Sequence, residues 1–212
     1  CLAYGIWAMF HLRHPFIERG AFSLRNFWLI MFLFLCLDIL LSTQTVLQNI
    51  VVTEFLGMDQ VNATIMKWLD FAGQSLGAIF CWWALTHRHW PSKLILFVCF
   101  GAIVLYALCM TAVVSYAMPA KALFLPLILC GFGHVGVFIV LTVYAQATAN
   151  FKYYFQILAL LGFIRTGVGA PIGDAIFGTA LTGLMNLHSN LELAIRELYG
   201  YSVIFGVFVL AI

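Results

Sequence analysis

The sequence predicts an all-α membrane protein with six spans, on three observations. The chain is 64% hydrophobic and only 8% charged, with a mean hydropathy of +1.05. A soluble domain of 212 residues cannot hide that much apolar surface. The apolar residues also fall into runs of about 20 residues or more, the length a helix needs to cross a bilayer. Polar connectors separate the runs, with Pro15, Pro91 and Pro119 at or near their boundaries. The net charge of +2 is small and carries no nucleic-acid signature.

Residues 1–10 read as the end of a preceding span and 11–25 as a connector. Six candidate spans follow, at about 26–48, 62–85, 94–116, 122–148, 155–184 and 198–212, the last cut short. Both ends of the chain fall inside apolar runs, and no initiator Met or signal peptide is present. The expectation is a piece of a longer polypeptide. Cys1, Cys36, Cys81, Cys99, Cys109 and Cys130 all lie in apolar runs without metal spacing, so they read as reduced packing residues.

Charge sets the expected orientation. Connectors 11–25, 86–93 and 149–154 hold Arg13, Arg19, Arg25, Arg88, Lys93 and Lys152 against Glu18 alone. The other connectors hold Lys121 and Arg196 against Glu54, Asp59, Glu192 and Glu197. The first set is therefore expected on the cytoplasmic side. The remaining charges, Asp38, Lys67, Asp70, Arg165 and Asp174, fall inside spans one, two and five. Spans three and six carry none, as expected if some helices line a cavity and others face lipid. Inverted three-plus-three repeats, each with its third helix outside, have that distribution.

The polar residues of the first span have helical spacing. Asp38, Ser42, Thr45 and Asn49 follow one another by steps of four, three and four, which makes one narrow stripe. A carboxylate near the bilayer centre costs about 2.5–3.5 kcal/mol on insertion scales, so such a stripe faces protein or water. A desolvated carboxylate favours its neutral form, which suits a proton carrier; the alternative is an interhelical hydrogen-bond network. On the second span Lys67, Asp70 and Gln74 share a face. Asp70 lies about 13 Å in from the outer side at 1.5 Å per residue. A local Lys67–Asp70 pair competes there with a role in proton or substrate handling. Trp68 is deep enough to line a pocket.

Span four carries His134 with no polar companion at helical spacing, a pattern that fits a singly hydrogen-bonded histidine or a proton relay. Span five carries Arg165 among Gly162, Gly167, Gly169 and Gly173. Small residues at four-residue spacing let helices approach closely. Pro171 should kink the helix and free backbone groups beside the arginine. Asp174 is nine residues beyond Arg165, out of phase for a direct pair. His11, His14, His87 and His89 lack carboxylate or cysteine partners and read as surface residues, so no metal site is expected. No nucleotide loop, nucleophile elbow or HExxH is present. An ion gradient is then the expected energy source, and no cofactor is expected.

Three stretches carry a family resemblance. His14-Pro-Phe-Ile-Glu-Arg-Gly-Ala-Phe-Ser-Leu-Arg-Asn-Phe27 resembles a connector written hPLIDLxLFRNRNF. Leu47-Gln-Asn-Ile-Val-Val-Thr-Glu-Phe-Leu-Gly-Met-Asp-Gln-Val-Asn-Ala63 resembles an outer loop written LQ-xx-LGYSPLQAG. Phe163-Ile-Arg-Thr-Gly-Val-Gly-Ala-Pro-Ile-Gly-Asp-Ala-Ile-Phe-Gly178 is similar to a penultimate helix written FxRxLGGAIGxAIFG. These blocks, in this order and spacing, resemble the major facilitator superfamily, specifically its fourteen-helix drug:proton antiporters of the EmrB/QacA type. Pro171 and Asp174 depart from that pattern. The resemblance implies a C-terminal six-helix bundle over 26–212, built of inverted repeats and preceded by a linker helix. It implies a proton-coupled exporter of amphipathic or cationic compounds working by alternating access in a bacterial cytoplasmic membrane. It further implies an N-terminal bundle as partner and, in a double-membraned bacterium, a periplasmic adaptor. A membrane-embedded enzyme and a structural partner subunit are the competing functions.

Overall fold

The computed structural model of the chain describes residues 27–58, 60–148, 153–188 and 190–211. The expected preceding helix (1–10), the connector 11–25 and residues 149–152 lie outside these. Helix α1 spans Phe27–Phe55. It is regular over Phe27–Ser42 and then widens into π-helical turns at Thr43–Gln48 and Val51–Phe55. Helix α2 is Gln60–Thr86 and α3 is Ser92–Val113. A 3₁₀ turn, Ala120–Leu123, leads into α4, Phe124–Thr148. Helix α5 spans Tyr154–His188 with a π-helical run at Ile164–Gly169. Helix α6 is Leu191–Ala211. No strand occurs among the described residues.

Five of these helices, α1 and α3 to α6, are long and apolar enough to cross a membrane. The protein is accordingly a multi-pass α-helical membrane protein. Helix α2 has 27 residues, about 40 Å of helix. It carries Lys67, Asp70, Gln74 and Ser75 and falls short of the same apolarity. Proline sets two helix starts: Pro91 and Pro119 hold extended backbone immediately before α3 and the 3₁₀ turn. Between α2 and α3 the chain reverses through His89, whose φ is 48°. Trp90 N donates to Ala84 O at 3.1 Å and closes the end of α2.

The last span begins earlier than the sequence suggests. Glu192, Arg196 and Glu197 belong to the first turns of α6, not to a connector, so the sixth span is not free of charge. They are paired there. Arg196 Nη1 lies 3.5 Å from Glu192 Oε1, and Arg196 Nε donates to Thr111 O of α3 at 3.1 Å. Glu197 accepts from the Tyr201 hydroxyl at 2.6 Å and lies 3.1 Å from His188 Nε2.

The packing is a closed ring of helices with a cross-brace. α2 packs on α4, α4 on α3, α3 on α6, α6 on α5, and α5 on α1, while α1 crosses to α4. Exchanging α1 with α4, α2 with α5 and α3 with α6 leaves α1–α4 and α3–α6 unchanged and carries each of the other four pairings onto one that is present. Two apolar clusters hold the ring. One, with Phe34, Leu37, Cys81, Cys99 and Val137, lies toward the α2–α3 turn. The other, with Leu47, Val51, Met110, Leu127 and Ile195, lies toward the opposite end. Five cysteines, Cys36, Cys81, Cys99, Cys109 and Cys130, are free thiols, and four of them are buried. Between the two clusters sit the buried polar residues Asp38, Ser42 and Thr43.

A polar layer between two apolar clusters as candidate functional site

The stripe of α1 faces α5. Asp38 is 4% exposed and Ser42 2%. Both pack on glycines of α5. A Cβ placed on Gly169 would lie 2.6 Å from Asp38 Cβ and 2.8 Å from its Oδ2, and one on Gly173 would lie 2.8 Å from Ser42 Cβ. Only glycine lets the two helices meet here. Ser42 Oγ donates to Asp38 O at 3.2 Å. One turn further, Thr45 Oγ1 donates to Asp174 Oδ1 at 2.6 Å, tying α1 to α5 again. Asn49 is exposed and its Nδ2 returns to Thr45 O at 2.7 Å.

Asp38 Oδ2 is buried without a hydrogen-bond partner. Arg165 is close enough to act on Asp38 electrostatically, but among the described ion pairs none joins the two. Arg165 instead reaches α4. Its Nη2 lies 3.1 Å from His134 Nε2, and its guanidinium carbon sits 4.9 Å from the Phe138 ring centroid. With the guanidinium as donor, His134 accepts at Nε2 and carries its own proton on Nδ1. Nδ1 is buried without a partner. His134 is therefore not solitary, as its helix suggested: its companion comes from α5.

Pro171 has a local accommodation. The π-helical run Ile164–Gly169 ends just before it. A proline removes one backbone donor and pushes on the preceding turn, and a wider turn absorbs both. Arg165 and Gly169 both lie on that run, while Gly167 packs on Phe163 of its own helix, where a Cβ would meet the ring at 3.1 Å.

The second carboxylate makes different contacts. Gln44 Nε2 of α1 donates to Asp70 Oδ1 at 3.0 Å. Gln74 Nε2 donates to Oδ2 at 2.7 Å. Lys67 makes no ion pair with Asp70, so the local pair expected on this face is replaced by two amides. A cavity of about 190 Å³ opens beside Asp70, lined by Gln44, Thr45, Gln48, Asn49, Lys67, Asp70 and Phe71. A second cavity, about 420 Å³, is walled by apolar side chains of α3 and α4 and lies away from these groups. Among the described residues no cluster of three or more His, Cys, Asp or Glu could hold a metal.

Gln44, Gln48 and Phe138 belong to this layer and were not legible as site residues. Gln44 and Gln48 are four apart, on a face of α1 different from the Asp38 stripe, and only Asp70 and its cavity give them meaning. Tyr106 and Tyr199, both buried, bring their hydroxyls within 3.4 Å between α3 and α6.

The fold and the layer define a class: a polytopic helical membrane protein with cross-helix polar contacts between two apolar clusters. No protein-family model matches the chain, and no curated protein matches it.

Proposed function

We propose that the chain is one six-helix bundle of a secondary active transporter, in which Asp38 binds the coupling proton. The observation that carries this reading is the state of Asp38. It is shut from water, one oxygen has no donor, and a guanidinium stands nearby while bonded elsewhere. A buried carboxylate in that position has two ways to be satisfied, a proton or the arginine. That choice gives it two states, as a coupling site requires. The exchange relation among helix pairings supports inverted three-plus-three repeats, and alternating access follows from rocking such a bundle against a second one.

The finer assignments rest on the motif resemblance together with this geometry. They are the major facilitator superfamily, its drug:proton antiporters, export of small amphipathic or cationic compounds, and a bacterial cytoplasmic membrane with a partner bundle and a periplasmic adaptor. No residue is assigned a catalytic role and no cofactor is invoked. The test is dye efflux from everted vesicles carrying the full-length protein, wild type against Asp38→Asn, with and without a proton gradient. Gradient-driven efflux should be present in wild type and fall at least tenfold in the variant at equal expression. Full activity of Asp38→Asn would remove it from the mechanism.

A further inference from the structure

We infer that the cavity between α1 and α2 binds the zwitterionic head of a small molecule, its ammonium on Asp70 and Gln48 and its anionic group on Lys67. The inference rests on the transporter reading only in taking that molecule as cargo. Two opposite charges line one cavity, three residues apart on one helix, yet they do not pair with each other. Asp70 is held by two neutral amides, from Gln44 and Gln74, and each oxygen keeps accepting capacity. Lys67 is exposed, and no anion among the described residues is bonded to it. Each charge therefore lacks a counter-ion on the wall of one cavity of the bundle, where a ligand carrying the opposite charges can supply both.

A third group points to the same ligand. Gln48 lines the cavity, is only 8% exposed, and its Oε1 is buried without a partner. Turning the Gln48 amide over would bring this orphaned acceptor to the cavity, where it matches a ligand with several N–H donors. A purely cationic ligand would satisfy Asp70 and Gln48 while facing Lys67 with like charge. A purely anionic ligand would reverse the fault. A zwitterion satisfies all three groups. The cavity holds about six water volumes at roughly 30 Å³ each, so it takes a head group, not a whole drug. Phe71, on its wall, is 54% exposed and meets the 69% exposed Trp68 edge-on at 6.1 Å. Those rings offer an exposed apolar corner to the rest of the ligand.

The probes are three compounds with one body and different charges: L-phenylalanine, its methyl ester (cation only) and N-acetyl-L-phenylalanine (anion only). Phosphocholine adds a zwitterion of other shape. Binding is measured by calorimetry on the purified full-length protein in detergent, without any gradient. A zwitterion should bind at least tenfold more tightly than either singly charged probe, the scale expected when one charge-assisted contact is lost. Lys67→Gln should abolish discrimination against the ester, and Asp70→Asn should abolish discrimination against the N-acetyl compound. Gln48→Met should weaken only the ammonium-bearing probes; it leaves both charges in place and guards against a variant that fails to fold. Equal or tighter binding of the ester makes this a cation site and overturns the inference, as does the mirror result for the N-acetyl compound. No binding of either zwitterion to monodisperse wild type also overturns it. Gradient-driven dye efflux without zwitterion binding would sink this inference alone. Zwitterion binding with no gradient-driven flux of any probe would sink the transporter reading and keep the site.

Discussion

At the scale of single residues, α1 and α5 meet where side chains vanish. Gly169 and Gly173 lie on Asp38 and Ser42 so closely that even a methyl group has no room. Gly169→Ala should push α5 away from α1 and destabilise the protein by about 1–3 kcal/mol, the usual range for overpacking. Gly178 of the same helix is the control, because nothing lies within 4 Å of the Cβ it would gain. Gly178→Ala should be neutral or stabilise by up to about 1 kcal/mol through helix propensity. Thermal unfolding in detergent, followed by tryptophan fluorescence, separates the two. Equal melting temperatures for both variants would show that the Asp38 contact is loose.

What the sequence could reveal of the site divides at the same scale. The Asp38–Ser42–Thr45 stripe was legible because steps of three and four report one helix's own face. Its partners were not. Thr45 meets Asp174 across 129 residues, Arg165 meets His134 across 31, and Gln44 meets Asp70 across 26. No periodicity within one helix encodes which second helix lies against it. The Lys67–Asp70 pair was the natural expectation from local spacing, and the amide of Gln44 displaced it from a neighbouring helix.

Among elements, hydropathy placed all six helices, since runs of about 20 apolar residues leave few alternatives. Only five of the six expected spans are apolar enough to cross a membrane, because Lys67, Asp70, Gln74 and Ser75 lower the hydropathy of α2. The start of α6 did not follow. Glu192, Arg196 and Glu197 look like a connector to any hydropathy reading, yet they pair with one another, with His188 and with the backbone of α3. Polar residues that satisfy each other let a helix begin before its apolar run does. The π-helical turns were also hidden. Only Pro171 announced one of them, and no proline marks those of α1. The contact of α2 with α4 gives a prediction at this scale. A Cβ on Gly77 would lie 2.5 Å from the carbonyl oxygen of Phe132, an atom that cannot swing aside. Gly77→Val should therefore separate the two helices and lower the yield of monodisperse protein several-fold. Gly101→Val in α3, with open space around it, should not. Size-exclusion profiles after extraction provide the comparison.

For the whole molecule, orientation is the property most open to direct test. Arg88 and Lys93 mark the end where α2 turns into α3, and Glu54 marks the other. The excess of Arg and Lys should hold the first end in the cytoplasm. With the native cysteines replaced, Arg88→Cys should resist a membrane-impermeant maleimide in intact cells and react only after permeabilisation. Glu54→Cys should react in both conditions. Labelling with the reverse pattern would invert the topology and, with it, the direction assigned to any flux.

The stacking of apolar, polar and apolar layers has an electrical consequence. Apolar clusters flank Asp38, Ser42 and Thr43 on both sides, so in this conformation no file of water reaches past Asp38, while Lys67 and Asp174 stand exposed at the rim. Liposomes holding the protein in this conformation should keep an imposed pH difference as long as empty ones do. A continuous conducting path past Asp38 would require both clusters to part at once.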